Sequence, residues 1–157
     1  MTDTQIILRL ATAADAELLC AIYASTRAEE LADTDWSAEQ KAAFCRMQFD
    51  AQDAHYRANY PTAQFSIIKR GGAAIGRLYV DGWKREIRIM DIALLPEHRG
   101  SGIGTWLLRA LQEQARAAGK ALSIHVEKFN PALRLYERLG FTVSEDKGVH
   151  LLLEWRA

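Results

Sequence analysis

Apolar residues in this chain recur with two different periods, and the points where the period changes divide it into elements. Gln5–Leu10 (QIILRL) reads as a first strand. Thr12-Ala13-Ala14-Asp15 has the form of a capping box, in which a hydroxyl and an acid three residues later satisfy free N–H groups. It opens a helix with Leu18, Leu19, Ile22 and Tyr23 on the apolar side. Ser37-Ala38-Glu39-Gln40 is a second box, after which Phe44, Met47, Ala51, Ala54 and Ala58 fall at alternating steps of three and four. Pro61 stops that helix.

The period then shortens. Gln64–Lys69 and Ala74–Val80 flank Arg70-Gly71-Gly72 as a hairpin, and Asp81-Gly82 turns the chain into Glu86–Leu95, a strand too apolar for an edge. From Ser101 a helix carries Ile103, Leu107, Leu108, Leu111 and Ala115, with Gly119 just past its end. Ala121–Val126 is a strand. Asn130-Pro131 reads as an N-cap with proline at the first helical position, and that helix ends at Gly140. Phe141–Ser144 and Val149–Trp155 form a closing hairpin around Asp146-Lys147-Gly148.

The order β-α-α-β-β-β-α-β-α-β-β predicts an α/β (α+β) fold. Its sheet is mixed and mostly antiparallel, with helices on both faces and a central right-handed β-α-β crossover from Glu86 to Val126. Such a sheet has a place where neighbouring strands splay into a slot. There are no repeats and no linker, so residues 1–157 read as one domain.

Composition narrows the ligands. Lys+Arg and Asp+Glu both total 20, so no global field draws nucleic acid or an anionic membrane, and an anionic ligand must be held by local geometry. The polar, acidic start (Met1-Thr2-Asp3-Thr4-Gln5) does not read as a signal peptide, and no apolar run is long enough for a membrane span. Cys20 and Cys45 have no partner at metal-ligand spacing. No metal site is expected, and the two thiols read as small buried hydrophobes in a reducing cytoplasm.

The chemistry concentrates in Leu94–Thr105 (LLPEHRGSGIGT), between a buried strand and a helix. Glycines at alternate positions (Gly100, Gly102, Gly104) allow close approach and positive φ. The free N–H groups of the following helix then converge on one point, which suits a phosphate or diphosphate. Arg99 adds a charge that can face the same oxygens. A P-loop would need Gly-Lys-Ser/Thr, and Gly104 is followed directly by Thr105. The dinucleotide pattern G-x-G-x-x-G is not matched, although Glu127 could mimic its ribose-binding acid.

These residues resemble the GNAT superfamily of N-acetyltransferases. Arg99-x-x-Gly102-x-Gly104 matches its acetyl-CoA loop, Q/R-x-x-G-x-G/A, and Asn130-Pro131-Ala132-Leu133-Arg134-Leu135-Tyr136-Glu137-Arg138-Leu139-Gly140-Phe141 is similar to its second signature, N-P-A-x-x-L-Y-x-x-L-G-F. The resemblance is specific over Ile92–Phe141. It implies an acetyl-CoA-dependent N-acetyltransferase in which Ile92, Ala93 and Leu94 offer backbone groups to the pantetheine arm. The amides of Gly100, Ser101, Gly102, Ile103, Gly104 and Thr105 would hold the diphosphate, and Asn130 would bond the pantetheine arm as well as capping its helix. Tyr136 corresponds to the family tyrosine near the sulfur, a donor to the leaving thiolate.

The expected mechanism is direct attack of a neutral amine on the thioester, with a strand amide near Leu94 stabilising the developing oxyanion. The family does not fix the base at one position. His125 is the first candidate, since it precedes the splay point and titrates near neutrality; Asp91, Glu127 and Glu86 are the others. The acceptor is a primary amine of a small molecule or peptide, and the wall offered to it comprises Tyr23, Trp36, Phe49, His55 and Tyr56 with Gln48 and Gln52 one turn apart. Terminal hairpins and exposed sheet edges leave a homodimer open. The competing reading is a non-catalytic acyl-CoA-binding sensor or interaction module on the same fold, which would need neither Tyr136 nor a base. A dinucleotide-dependent oxidoreductase is a more distant one.

Overall fold

The computed structural model describes residues 5–157; the polar start of the chain, residues 1–4, lies outside the described residues. The elements are β1 (Ile6–Leu10), α1 (Ala16–Ala32), α2 (Ala38–Asn59), β2 (Gln64–Arg70), β3 (Ala73–Gly82), β4 (Glu86–Leu94), α3 (Ile103–Ala118), β5 (Ala121–Glu127), α4 (Leu133–Arg138), β6 (Thr142–Asp146) and β7 (His150–Trp155). Single 3-10 turns at Ala13–Asp15 and Pro96–His98 precede α1 and follow β4. The strands are ordered β1-β2-β3-β4-β5-β7-β6. β1 and β2 are antiparallel, as are β5/β7 and β6/β7, and β4/β5 is a parallel pair. This is the mixed, mostly antiparallel sheet that the element order predicts. The last hairpin inserts its second strand, β7, beside β5 and leaves β6 outside.

The chain packs as two compact units: Met1–Leu78 with Ile92–Arg99, and Tyr79–Asp91 with Gly100–Ala157. In the first, the capping box at Thr12 forms by half. Asp15 accepts from the Thr12 N–H at 2.8 Å, but the N–H of Asp15 goes to the Thr12 carbonyl, so the first turn is 3-10. Arg9 grips the same carboxylate with two bonds of 2.9 Å and holds it well below the usual carboxylate range. The Ser37 box closes fully, Ser37 Oγ accepting from the Gln40 N–H and Gln40 Oε1 from the Ser37 N–H.

The buried face of α2 differs from the expected stripe. Met47 is 61% exposed, Ala51, Ala54 and Ala58 face solvent, and Cys45 and Phe49 are the buried pair. Gln48 and Gln52 share that inward side, so polar residues hide the true face from a hydrophobic count.

β3 runs on through Asp81-Gly82, and the turn into β4 falls after it, with the Trp83 N–H on the Glu86 carbonyl at 2.8 Å. At Gly76 a Cβ would stand 2.2 Å from the Ala93 carbonyl oxygen, so glycine here is a demand of space.

In the second unit, α3 buries Ile103, Leu107, Leu108, Leu111 and Ala115, and Gly119 ends it at φ 66°. α4 begins at Leu133, later than expected. Asn130 Oδ1 accepts from the Ala132 N–H at 2.8 Å, and the Leu133 N–H bonds the Asn130 carbonyl, so Asn130-Pro131-Ala132 make a capped turn ahead of the helix. α3 and α4 touch where Gln112 Nε2 donates to the Leu139 carbonyl, and Leu135 lies beside Gly104.

Candidate functional site

Two observations orient the end of β4. The Leu95 N–H donates to the Ile75 carbonyl at 2.8 Å, and the Ala93 carbonyl points at Gly76. Backbone groups alternate sides along a strand, so those of Ile92 and Leu94 turn away from β3. The parallel ladder on the other side of β4 ends at Ile89 opposite Ile124. β5 continues through Glu127 against β7 alone. Ile92 and Leu94 therefore lie beyond the last paired rung.

The loop that follows is built by φ angles. Gly100 and Gly102 sit at +72° and +86°, where an L side chain is strained although space is open around both. Gly104 is already helical; its glycine is neither a positive-φ position nor a tight one, since a Cβ would meet only Leu135 at 3.9 Å. The first intrahelical bond of α3 is Trp106 N–H to the Gly102 carbonyl at 3.0 Å. The amides of Ile103, Gly104 and Thr105 precede it and have no partner within the helix. No acidic side chain occupies that first turn, and Ile103, fully buried, anchors it. Arg99 folds back instead of reaching outward: Nε donates to the Leu94 carbonyl at 2.9 Å and Nη2 to the Ser25 carbonyl at 3.5 Å. It clamps the strand end to the loop. Ser101 is exposed on the loop.

Tyr136 is buried, its ring edge-on to Phe141 with centroids 5.5 Å apart. Burial, and then the negative charge of Asp91, push its phenol well above the ordinary value. No group among the described residues hydrogen-bonds the hydroxyl. A phenol in that state is protonated at neutral pH and can donate a hydrogen bond.

Strand alternation separates the candidate bases. Ile89 and Ile124 are a register pair, so Asp91 shares their side of the sheet, and Tyr136 feels its charge. His125, Glu86 and Glu127 fall on the opposite side with Arg88 and Ser123. There Arg88 is a hub. Nε donates to Ser123 Oγ at 2.8 Å, Nη2 to Glu86 Oε1 at 2.8 Å and Nη1 to His125 Nδ1 at 3.2 Å, with the guanidinium 4.7 Å over the Trp83 ring. Partial burial, then the Arg88 charge, lower the His125 pKa, leaving a neutral ring whose Nδ1 lone pair already accepts. The structure thus brings Asp91 toward Tyr136 and does not bring His125 there. Only the period-2 spacing of Glu86 and Arg88 hinted at this network.

The expected acceptor wall divides into three groups within the first unit. Tyr23 Oη donates to Gln48 Oε1 at 3.0 Å and its ring meets Phe49; Gln52 Oε1 accepts from Arg77 Nη2 at 3.0 Å, and the Arg77 guanidinium lies 5.5 Å over Tyr23. Arg77, 1% exposed in the middle of β3, is a member that sequence reasoning missed. Trp36 packs instead on Phe44, and His55 and Tyr56 gather with Tyr60. Among the described residues no group of three His, Cys, Asp or Glu side chains could hold a metal ion, and no helix is long and apolar enough to cross a membrane.

The chain belongs to the acetyltransferase (GNAT) family, whose family model matches residues 26–141. It is similar to streptothricin acetyltransferase of Streptomyces lavendulae, 37% identical over 96 residues that make up 59% of this chain and 51% of that protein. It is also similar to mycothiol acetyltransferase of Corynebacterium glutamicum, 31% identical over 119 residues, 74% of this chain and 40% of that one. The chain thus spans about half or less of the length of these curated relatives. In fold it is similar to the PaiA N-acetyltransferase of Thermoplasma acidophilum, solved with coenzyme A, at a TM-score of 0.74 and 18% identity over 98% of this chain and 99% of that one.

Proposed function

We propose that this chain is an N-acetyltransferase that moves the acetyl group of acetyl-CoA to a primary amine of a small molecule or peptide. The observation that carries the reading is the backbone of one continuous segment. Ile92 and Leu94 turn peptide groups away from β3 beyond the end of the parallel ladder, and ten residues on, three amides stand without helical partners. A chain of amides ending in a diphosphate fits that donor set. The solved PaiA structure with coenzyme A and the matches to streptothricin and mycothiol acetyltransferases support it.

When bound, acetyl-CoA supplies an acetyl group activated as a thioester. Ile92 and Leu94 hold the pantetheine arm as a further strand would, whereas the Ala93 backbone, expected to join them, faces β3 instead; the Leu94 N–H stabilises negative charge on the carbonyl oxygen. The amides from Gly100 to Thr105 hold the diphosphate. Each hydrogen bond to a charged acceptor contributes about 1.5–3 kcal/mol, against about 0.3–1 kcal/mol for the helix dipole, so the exposed amides matter more than the macrodipole. Arg99 keeps the loop in that shape. Asn130, its Oδ1 committed to the cap, has Nδ2 left to donate to the pantetheine arm. Tyr136 holds a proton at the phenol oxygen for the departing sulfur. Asp91, on the Tyr136 side of the sheet, is better placed than His125 to take the amine's proton.

Residues 1–157 act as one acetyltransferase domain, because β3 and β4 each run unbroken through both packing units. Two buried, unbridged thiols support the cytoplasm as its compartment. The apolar edge strand β1, with Ile7, Leu8 and Leu10 exposed, supports association of two copies.

Release of free thiol from acetyl-CoA over a panel of amines, amino acids and peptides tests the activity, with amine-dependent release expected. Tight coenzyme binding by calorimetry with no turnover anywhere on the panel would favour the non-catalytic binding module instead. Absence of coenzyme binding would remove both readings.

A further inference from the structure

The turn between β5 and α4 displays a phenylalanine. The Asn130 N–H donates to the Glu127 carbonyl at 3.0 Å and closes a β-turn with Lys128 and Phe129 at its corners. The first corner is clamped to the loop between β6 and β7: the Lys128 N–H donates to the Val149 carbonyl at 3.1 Å, and Lys128 Nζ lies 3.0 Å from Asp146 Oδ1. The far end is fixed by Asn130 Oδ1, which accepts from the Ala132 N–H at 2.8 Å. Phe129, at the second corner, is 95% exposed, and Val149 on the facing loop is 69% exposed. A turn corner favours Gly, Asn, Asp or Ser, so neither the backbone nor the core asks for a ring here.

The charges of the same tip are matched except for one. Lys128 is paired with Asp146, and Lys147 with Glu145 at 3.4 Å. Glu127, exposed at the end of β5 and opposite His150 in the ladder, has no side-chain hydrogen bond or ion pair among the described residues. The lysines and carboxylates of the turn and the facing loop therefore leave one negative charge over. Adjoining apolar side chains with that charge beside them suit an apolar cation and disfavour an anion. The place matters too. On the acetyl-CoA reading Asn130 donates to the pantetheine arm, so its chain neighbour Phe129 stands beside the arm that carries the thioester.

We infer that Phe129, with Val149 beside it, selects the acceptor, and that the acceptor is a primary amine carried on an aromatic or large aliphatic body. The inference rests on the acetyl-CoA reading above and deepens it by naming the class of amine. The ring covers the apolar body as it leaves water, and the surplus carboxylate draws in an amine that arrives protonated. Nothing in the transfer of the acetyl group needs the ring. Phe129 therefore acts on acceptor binding, which appears in the KM of the amine and not in kcat.

Steady-state thiol release from acetyl-CoA by the full chain decides it, with phenethylamine and isopentylamine as apolar acceptors and ethanolamine and 1,4-diaminobutane as polar ones. The wild type is compared with Phe129→Ser and with the control Val143→Ser, an exposed valine on β6. Thermal melts by circular dichroism confirm that each variant is folded. The wild type and the control are expected to prefer the apolar amines by about tenfold or more in kcat/KM. Phe129→Ser should raise the KM of the apolar amines by about tenfold, leaving their kcat, the polar amines and the KM of acetyl-CoA as they were. Turnover without a preference for the apolar amines overturns the assignment, as does a preference that survives in Phe129→Ser. A higher KM for acetyl-CoA in that variant, whichever amine is present, also overturns it, because the ring then serves the coenzyme. If no amine supports thiol release by the wild type, the acetyl-CoA reading itself fails and the acceptor assignment falls with it.

Discussion

Arg88 Nη1 donates to His125 Nδ1 across 3.2 Å, which ties the imidazole to the side of the sheet away from Tyr136 and occupies its basic nitrogen. The histidine that the sequence singles out as a base is thereby a neutral ring in a polar network.

Its titration should appear in stability, not in rate. The native pKa lies below the ordinary value, so between the two the unfolded chain binds the proton more readily. The contribution is complete above the unfolded pKa and is lost as pH falls through the native one. Urea unfolding at pH 7.5 and pH 5 should show wild-type stability dropping with acidification, and His125→Gln should reduce that drop. The same variant should acetylate within about threefold of the wild-type rate, where loss of a general base would cost about a hundredfold or more.

Tyr136→Phe removes a donor without opening a cavity. We expect kcat to fall about a hundredfold with little change in coenzyme affinity, measured by thiol release and calorimetry. Because burial and Asp91 hold the phenol far above its usual range, any alkaline limb of the wild-type pH–rate profile should persist in the residual activity of the variant.

The loop glycines should not behave alike. Alanine at Gly100 or Gly102 is forced to φ of +72° or +86° and should cost about 1–2 kcal/mol each, with weaker coenzyme binding as the amides shift. Alanine at Gly104 meets Leu135 at ordinary contact distance and sits in a helix, so stability should hold or rise by up to about 1 kcal/mol. Chemical denaturation of the three variants separates conformational from spatial demand.

Gly76→Ala is the severe case. Its Cβ would fall 2.2 Å from a backbone oxygen of β4, which no rotamer can relieve. We expect a loss of about 3 kcal/mol or more, read from urea unfolding, together with lost activity, since the displaced strand carries Ile92 and Leu94.

The element order was legible because helices and strands bury single faces with different periods, and because Gly119, Pro61 and the Ser37 box punctuate them locally. The loop was legible for a similar reason: Gly100 and Gly102 are a local backbone requirement. Where polar residues point inward, the reading failed. Gln48 and Gln52 sit on the buried side of α2 and Arg77 inside β3, so hydrophobicity pointed to Met47 and the alanines instead.

Residue order alone thus determined the succession of elements, the glycine turn and the Tyr136 signature, since each depends on neighbours within a few positions. Only the tertiary structure decided that β7 enters beside β5, that the β4/β5 ladder stops at Ile89, and which candidate bases share a side with Tyr136. Those outcomes depend on strand register, and a shift of one residue exchanges the two faces of a sheet, something no local pattern records.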